Sequence, residues 1–164
     1  LNGALALEQL KKRDRILSRL RAIKKQLLET ASKLPGTTLQ DVPDPEGDCA
    51  TSLVFFVENP ERAKAFAEAL RAEGMAAGCM FDKGFPDRHI YYHWDYIMEK
   101  RTPDAYGHPW TDSARPCQVN YTRDMCPKTL AWLNRAVAIS LTQAMTDAHV
   151  KDCAKALMKV ARLL

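Results

Sequence analysis

The side chains best suited to chemistry are concentrated in the stretch His89–Trp94, which reads His-Ile-Tyr-Tyr-His-Trp. His89 and His93 stand four residues apart, so on an α-helix they would share one face and could bind a metal ion. No glutamate follows the first histidine, and neither Cys79 nor Cys117 has the spacing of a further ligand. The pattern therefore favours a polar, aromatic pocket wall, and we predict no metal ligand in this chain.

The aromatic residues of this stretch support two interpretations. Tyr91, Tyr92 and Trp94, with Tyr96 just beyond them, could line a sugar or a flat cofactor. They could equally attach a loop to the rest of the domain or to a partner. They lie in a long irregular segment, 82–126, in which glycine, proline and aromatic residues are mixed. Such segments often carry function, so both interpretations stay open.

Other reactive residues give weaker signals. The five cysteines are odd in number and form no close pairs, which argues against a secreted disulfide framework and favours reduced thiols in a cytoplasmic protein. Nothing near Cys79 or Cys126 supports a nucleophilic cysteine–histidine pair. No glycine-rich phosphate loop is present. Most of the twelve lysines fall on predicted exposed helix faces, so none is an obvious Schiff-base candidate.

The composition limits the kinds of protein to which this chain can belong. A chain of 164 residues with 46% hydrophobic and 27% charged residues is typical of one globular domain, and no apolar run is long enough to span a membrane. The net charge is +4, and eight basic residues fall within 11–25. That run could contact nucleic acid, but it lacks interleaved aromatic residues. We therefore interpret it as the solvated face of a helix.

Hydrophobic periodicity and turn residues predict an α+β fold. A long N-terminal helix precedes a small, mostly antiparallel sheet with helices packed on one face. The predicted helices are 3–33, a helix capped by Asn59 and ended by Gly74, 127–133, and one capped by Thr146; the predicted strands are 51–57, 75–81 and 136–141. We divide the chain into a linking helix, 1–34, and a small domain, 35–164, with an insertion at 82–126.

Three stretches resemble one family, the DegT/DnrJ/EryC1/StrS sugar aminotransferases. Residues 1–12 resemble the segment where the large cofactor domain of that family passes into the small domain. Leu34-Pro35-Gly36, followed by a variable loop and the strand 52–57, is the second stretch. The third consists of 136–141 and 145–150, which resemble the family's strand, threonine–aspartate cap and final helix. The chain is thus similar to the C-terminal small domain of these enzymes.

The resemblance implies a fold-type-I enzyme that is dependent on pyridoxal phosphate and is usually a homodimer. It would transfer an amino group from glutamate to a keto sugar, either a nucleotide sugar or a sugar acid, in cell-surface polysaccharide synthesis. In the family the catalytic lysine and most cofactor contacts lie in the large domain, so we expect that lysine upstream of Leu1. The chain begins without methionine, as expected for part of a longer protein. We assign it no catalytic or cofactor-binding residue and expect it alone to be inactive, without covalently bound cofactor.

One departure from the family bears on the substrate. Where the family often has His-Tyr-Pro after its second strand, this chain has Met80-Phe81-Asp82. We predict that the nearby cluster takes the substrate-binding role, through His89, Tyr91, Tyr92, His93 and Trp94. This cluster and the turn 43–47 resemble the branch that acts on the eight-carbon sugar acid of lipopolysaccharide.

Two alternative functions stay open. One is a pyridoxal- or pyridoxamine-phosphate-dependent sugar dehydratase of the same fold, in which histidine replaces the upstream lysine. The other is a stand-alone binding module that uses the basic helix or the aromatic segment.

Overall fold

The computed structural model describes residues 1–80, 89–112 and 119–164 and places them in two units. The first unit consists of Leu1–Cys79 and Asn134–Leu164, and the second consists of the described part of Met80–Leu133. In chain order the elements are α1 (Asn2–Leu10), α2 (Arg13–Ala31), β1 (Thr38–Leu39), β2 (Ser52–Phe56), α3 (Pro60–Ala72), β3 (Ala77–Cys79), a 3₁₀ turn (Tyr91–His93), α4 (Asp95–Met98), α5 (Pro127–Leu133), β4 (Ala136–Ser140) and α6 (Asp147–Leu163).

The sheet of the first unit has the strand order β1-β2-β4-β3, and each neighbouring pair is antiparallel. Its longest pairing joins β2 to β4 over five residue pairs, from Ser52 opposite Ser140 to Phe56 opposite Ala136. The other edge of β4 pairs with β3. The predicted α+β class and the antiparallel sheet are therefore confirmed.

One face of this sheet forms the hydrophobic core with α2, α3 and α6. Leu53 lies opposite Ile139 and Phe55 lies opposite Val137, and all four side chains are buried. On the other face, Ala138 and Ser140 are exposed. The ring of Phe55 meets the ring of Phe66 on α3 edge to face, with 5.3 Å between centroids. This alternation is the period-two pattern of a sheet that is covered on one side.

The predicted helix starts are confirmed at two positions. The side chain of Asn59 accepts a hydrogen bond from the backbone N–H of Arg62 at 2.8 Å. The hydroxyl of Thr146 accepts from the N–H of His149 at 3.2 Å. Each cap satisfies an N–H that the first helical turn cannot pair internally.

The structure divides the predicted N-terminal helix, 3–33, into α1 and α2, which are separated by a turn at Lys11-Lys12. The five residues Lys11–Arg15 include no apolar side chain that could hold this turn to a core. Helix α2 buries Leu20, Ile23 and Leu27, whereas α1 buries none of its residues. Strand β1 was not predicted, because two residues are too short to show an alternating pattern. Among the described helices, none is long and apolar enough to cross a membrane.

The connection 40–51 is fastened to α2 by two cations. The ammonium of Lys24, a residue that is 7% exposed, lies 2.5 Å from the carboxylate of Asp48. Arg21 donates from Nε to the carbonyl oxygen of Asp48 at 2.9 Å and from Nη2 to that of Glu46. Asp48 also accepts from the backbone N–H of Ala50 at 2.8 Å.

These contacts set the charge state of Asp48. Burial opposes its ionisation, but the hydrogen bonds from Lys24 and Ala50 and the charges of Lys24 and Arg21 outweigh that effect. The pKa of Asp48 therefore lies below its ordinary value. Because the folded-state pKa is depressed, the carboxylate stabilises the fold above its ordinary pKa of about 3.9, and this contribution disappears as pH falls through the folded-state pKa.

We predict that Asp48→Asn lowers the free energy of unfolding by about 1–3 kcal/mol at pH 6, because a charge-assisted hydrogen bond is weakened. The difference from the unaltered protein should shrink as pH falls below about 4. Urea unfolding at several pH values measures both effects. Asp41→Asn is the matched control, since Asp41 is exposed on the same connection. A difference that stays constant down to pH 2 would contradict the role of Asp48.

Candidate functional site

The predicted substrate-binding residues lie at the start of the described part of the second unit. His89 is exposed in a turn, and Tyr91, Tyr92 and His93 are half-buried in the 3₁₀ turn. Trp94 follows directly and is 46% exposed. The structure therefore buries the middle of the cluster partly and leaves both of its ends accessible.

Tyr91 anchors the cluster to a later part of the same unit. Its hydroxyl donates to the carbonyl oxygen of Arg123 at 2.7 Å and accepts from the backbone N–H of Cys126 at 3.2 Å. Both hydrogen-bonding roles of the phenol oxygen are thus used by the backbone. This contact supports the interpretation that part of the aromatic cluster holds a loop in place.

Arg123 organises the other side of the cluster. Its guanidinium donates from Nη1 to the carbonyl oxygen of Tyr92 and from Nη2 to the carboxylate of Asp95 at 2.8 Å. Its central carbon lies 5.0 Å from the centre of the Tyr92 ring, and Nη2 lies 3.9 Å from the carboxylate of Glu99. The planar, multidentate guanidinium suits these three kinds of contact at once.

The electrostatics of Arg123 indicate a positioning role. The hydrogen bond to Asp95 raises the pKa of Arg123, burial opposes the increase, and the charges of Asp95, Tyr92 and Glu99 add to it. The guanidinium therefore stays charged, but two carboxylates offset that charge. An arginine neutralised in this way holds the 3₁₀ turn and α4 together rather than presenting a strong anion site.

The two histidines do not share a helical face. His89 lies in a turn and His93 lies in the 3₁₀ turn. The four-residue spacing therefore does not place the two side chains on one face of an α-helix. Across 1–80, 89–112 and 119–164, no group of three or more His, Cys, Asp or Glu side chains could hold a metal ion. Tyr92 and His93 instead meet edge to face, with 5.2 Å between ring centroids.

Sequence reasoning found the aromatic residues of this cluster but missed the residues that position them. Arg123, Asp95 and Glu99 stand in irregular or very short elements, and no periodic pattern distinguishes them from other charged residues. For Asp95 and Glu99 the available signal was their nearness to the aromatic stretch, whereas Arg123 is 31 residues from Tyr92 and gave no such signal. Phe81 and Asp82, two of the three residues that the sequence analysis compares with the His-Tyr-Pro of the resembled family, lie outside the described residues, as does Cys117.

Comparison with known proteins identifies the fold. No family model matches the sequence. A Streptococcus pneumoniae protein that is assigned as a sugar aminotransferase, solved in its apo form, matches 96% of the chain with a TM-score of 0.61 and 15% identity. A 3-amino-5-hydroxybenzoic acid synthase matches 95% of the chain with a TM-score of 0.63 and the same identity. The chain spans 33% and 37% of the length of these two proteins.

These similarities are similarities of fold. The arrangement of helices and sheet is that of part of these two proteins, in agreement with the predicted fold. The two names differ in the compound that they print, since one refers to a sugar and the other to an aminated benzoic acid. The shared fold therefore does not identify a substrate by itself.

We predict that Tyr91→Phe loosens the attachment of the cluster without unfolding the protein. Loss of the phenol oxygen leaves the N–H of Cys126 without this acceptor, so its amide hydrogen should exchange faster by about tenfold. Hydrogen exchange followed by NMR measures this rate. Tyr96→Phe is the matched control, because Tyr96 is 64% exposed. Unchanged exchange at Cys126 in the Tyr91 variant would contradict the anchoring role.

Proposed function

We propose that this chain is the small domain of a pyridoxal-phosphate-dependent sugar aminotransferase. The observation that carries the proposal is the match of almost the whole chain to about a third of two larger proteins, one of them assigned as a sugar aminotransferase. The sequence resemblance in 1–12, in 34–36 with 52–57, and in 136–141 with 145–150 adds support. The enzyme would act as a homodimer on a keto sugar, with glutamate as the amino donor.

The surface of α1 supports a larger assembly. Apolar residues lie nearly all round this helix, at Ala4, Leu5, Ala6, Leu7 and Leu10. A helix that is apolar on most sides is normally buried. Here Leu5, Leu7 and Leu10 are 56–61% exposed. We infer that a large cofactor domain of the same protein covers them.

The described lysines are not suited to a Schiff base with pyridoxal phosphate. A Schiff-base lysine must be desolvated and able to lose its proton. All of the described lysines except Lys24 are exposed, and the side-chain nitrogen of Lys24 is engaged in an ion pair, 2.5 Å from the carboxylate of Asp48. We therefore assign no step of pyridoxal chemistry to these residues. In this proposal the cofactor and its lysine belong to the large domain.

The contribution of this chain is then to bind and orient the substrate. Trp94 offers an exposed aromatic face, and His89 offers an exposed imidazole at the other end of the cluster. Aromatic faces pack against the apolar faces of sugar rings, and imidazoles exchange hydrogen bonds with hydroxyl groups. Tyr91 and Tyr92 act by holding this short segment through Arg123. The same cluster would exclude water from the reacting carbon when the small domain closes.

The coding sequence that precedes Leu1 tests the proposal directly. We predict that it encodes a large domain with a lysine at the cofactor position. A histidine at that position would instead identify a dehydratase. An initiation codon immediately before Leu1, or an unrelated upstream domain, would contradict the proposal.

In the whole enzyme, we predict that Trp94→Ala raises the KM for the keto sugar about tenfold, equivalent to about 1.4 kcal/mol, because a packing surface is lost. The value of kcat should change less. Formation of 2-oxoglutarate from glutamate measures both constants. Tyr106→Ala is the matched control, since Tyr106 is 81% exposed but lies outside the cluster. Equal effects of the two substitutions on KM would exclude Trp94 from the substrate wall.

We also predict that the 164-residue chain, studied alone, associates with itself through α1. Exposed leucines on a helix without a partner favour such contacts. Sedimentation equilibrium should show a mass that rises with concentration, and the double variant Leu5→Glu, Leu10→Glu should remain a monomer. Leu163→Glu is the control, because Leu163 is 74% exposed on α6. A monodisperse monomer with its α1 leucines exposed would count against a covering domain.

A further inference from the structure

A cavity of about 550 Å³ lies in the first unit between α2 and the chain from Leu39 to Val54. This volume falls within the range of small-molecule sites. Its apolar lining comes from Leu28, Leu39, Val42, Pro45, Ala50, Leu53 and Val54. All of these residues belong to the first unit and none belongs to the aromatic cluster, so the inference does not depend on the proposed function.

The charged side chains that line this cavity sum to a net charge of +1. Arg21, Lys24 and Lys25 contribute three positive charges, and Glu29 and Asp48 contribute two negative charges. Asp48 is engaged by Lys24, and Glu29 is exposed on α2. An anionic ligand would therefore find an excess of positive charge on these walls.

Among these cations, Lys24 is the one that we expect to bind an anionic group in the cavity. An ammonium has three N–H donors. Among the described residues, the hydrogen bond found for Lys24 goes to Asp48. A buried charge is costly unless its donors are satisfied, so a further acceptor in the cavity would be favourable. The neighbouring Arg21 is directed elsewhere, because it donates to the carbonyl oxygens of Asp48 and Glu46.

The connection that forms one wall of the cavity is held by several hydrogen bonds. Arg21 and Lys24 fasten it to α2, and Asp44 accepts hydrogen bonds from the backbone N–H groups of Glu46 and Gly47 at 3.1 and 3.0 Å. A ligand would enter a largely preformed space and would not have to order this segment on binding. Preorganisation of this kind reduces the entropic cost of association.

We propose that this cavity binds a small amphiphilic carboxylate, with the carboxylate on Lys24 and the apolar body against Leu28, Leu39 and Leu53. The partner is a free small molecule, because the space is bounded on one side by α2 and on the other by the fastened connection. A compact aliphatic or aromatic acid matches the combination of an apolar lining with a buried ammonium.

The test compares octanoate with octan-1-ol, which has the same apolar chain without the charge. Titrations of the complete chain, followed by NMR of the methyl groups of Leu28, Leu39 and Leu53, measure both dissociation constants. Octanoate should bind saturably and at least tenfold more tightly than octan-1-ol. The absence of saturable shifts at these methyl groups, or equal affinities for the two compounds, would overturn the proposal.

Two variants separate the charge from the cavity. Lys24→Met should abolish the preference for octanoate, whereas Lys155→Met, which removes an exposed cation on α6, should leave it unchanged. Val42→Trp should fill the cavity and weaken the binding of both compounds. If Lys24→Met unfolds the connection, two measurements still test the proposal. They are the affinity of the Val42→Trp variant for octanoate and the preference of the unaltered chain for octanoate over octan-1-ol. A Val42→Trp protein that is folded and binds octanoate normally would locate the site elsewhere.

Discussion

The position of β4 at the centre of the sheet is the constraint on which the rest of the chain depends. This strand pairs with β2 on one edge and with β3 on the other, although both of those strands precede the second unit. The sheet can therefore close only after the chain has passed through 80–133 and returned at Asn134. The pairings of β4 therefore bring together residues that are distant in sequence, and the core of the first unit depends on them.

The sequence predicted those elements whose signal is local. Asn59-Pro60 and Thr146 specify helix starts because their hydrogen bonds stay within one helical turn, and both are found as caps. The run Leu53–Val57 specified a strand, but its pairing partner could not be predicted, since pairing depends on segments far along the chain. The division between α1 and α2 was not predicted, although the five residues Lys11–Arg15 carry no apolar side chain and so interrupt the periodicity. The packing of α2, which buries Leu20, Ile23 and Leu27, distinguishes it from α1, which buries none of its residues.

The candidate site shows the same limit at the level of single residues. Tyr91, Tyr92 and Trp94 were predictable because aromatic residues stand out in any sequence, but their different environments were not. Tyr91 is engaged by the backbone at Arg123 and Cys126, whereas Trp94 is half exposed. The two interpretations of the cluster therefore apply to different residues. Tyr91 attaches the segment to the rest of its unit, whereas Trp94 presents an accessible aromatic surface. Substrate contact by these residues stays a prediction.

Arginine fastens irregular segments in both units by the same physical means. Arg21 donates to carbonyl oxygens of the connection 40–51, and Arg123 donates to the carbonyl oxygen of Tyr92. Segments without secondary structure leave backbone acceptors unpaired, and a guanidinium can satisfy several of them from one position. The two sites differ in the balance of their positive and negative charges. Two carboxylates surround Arg123, whereas the cations beside the α2 cavity exceed the carboxylates. Arg123 and its two carboxylates therefore sum to a net charge of −1, whereas the charged side chains that line the cavity sum to +1.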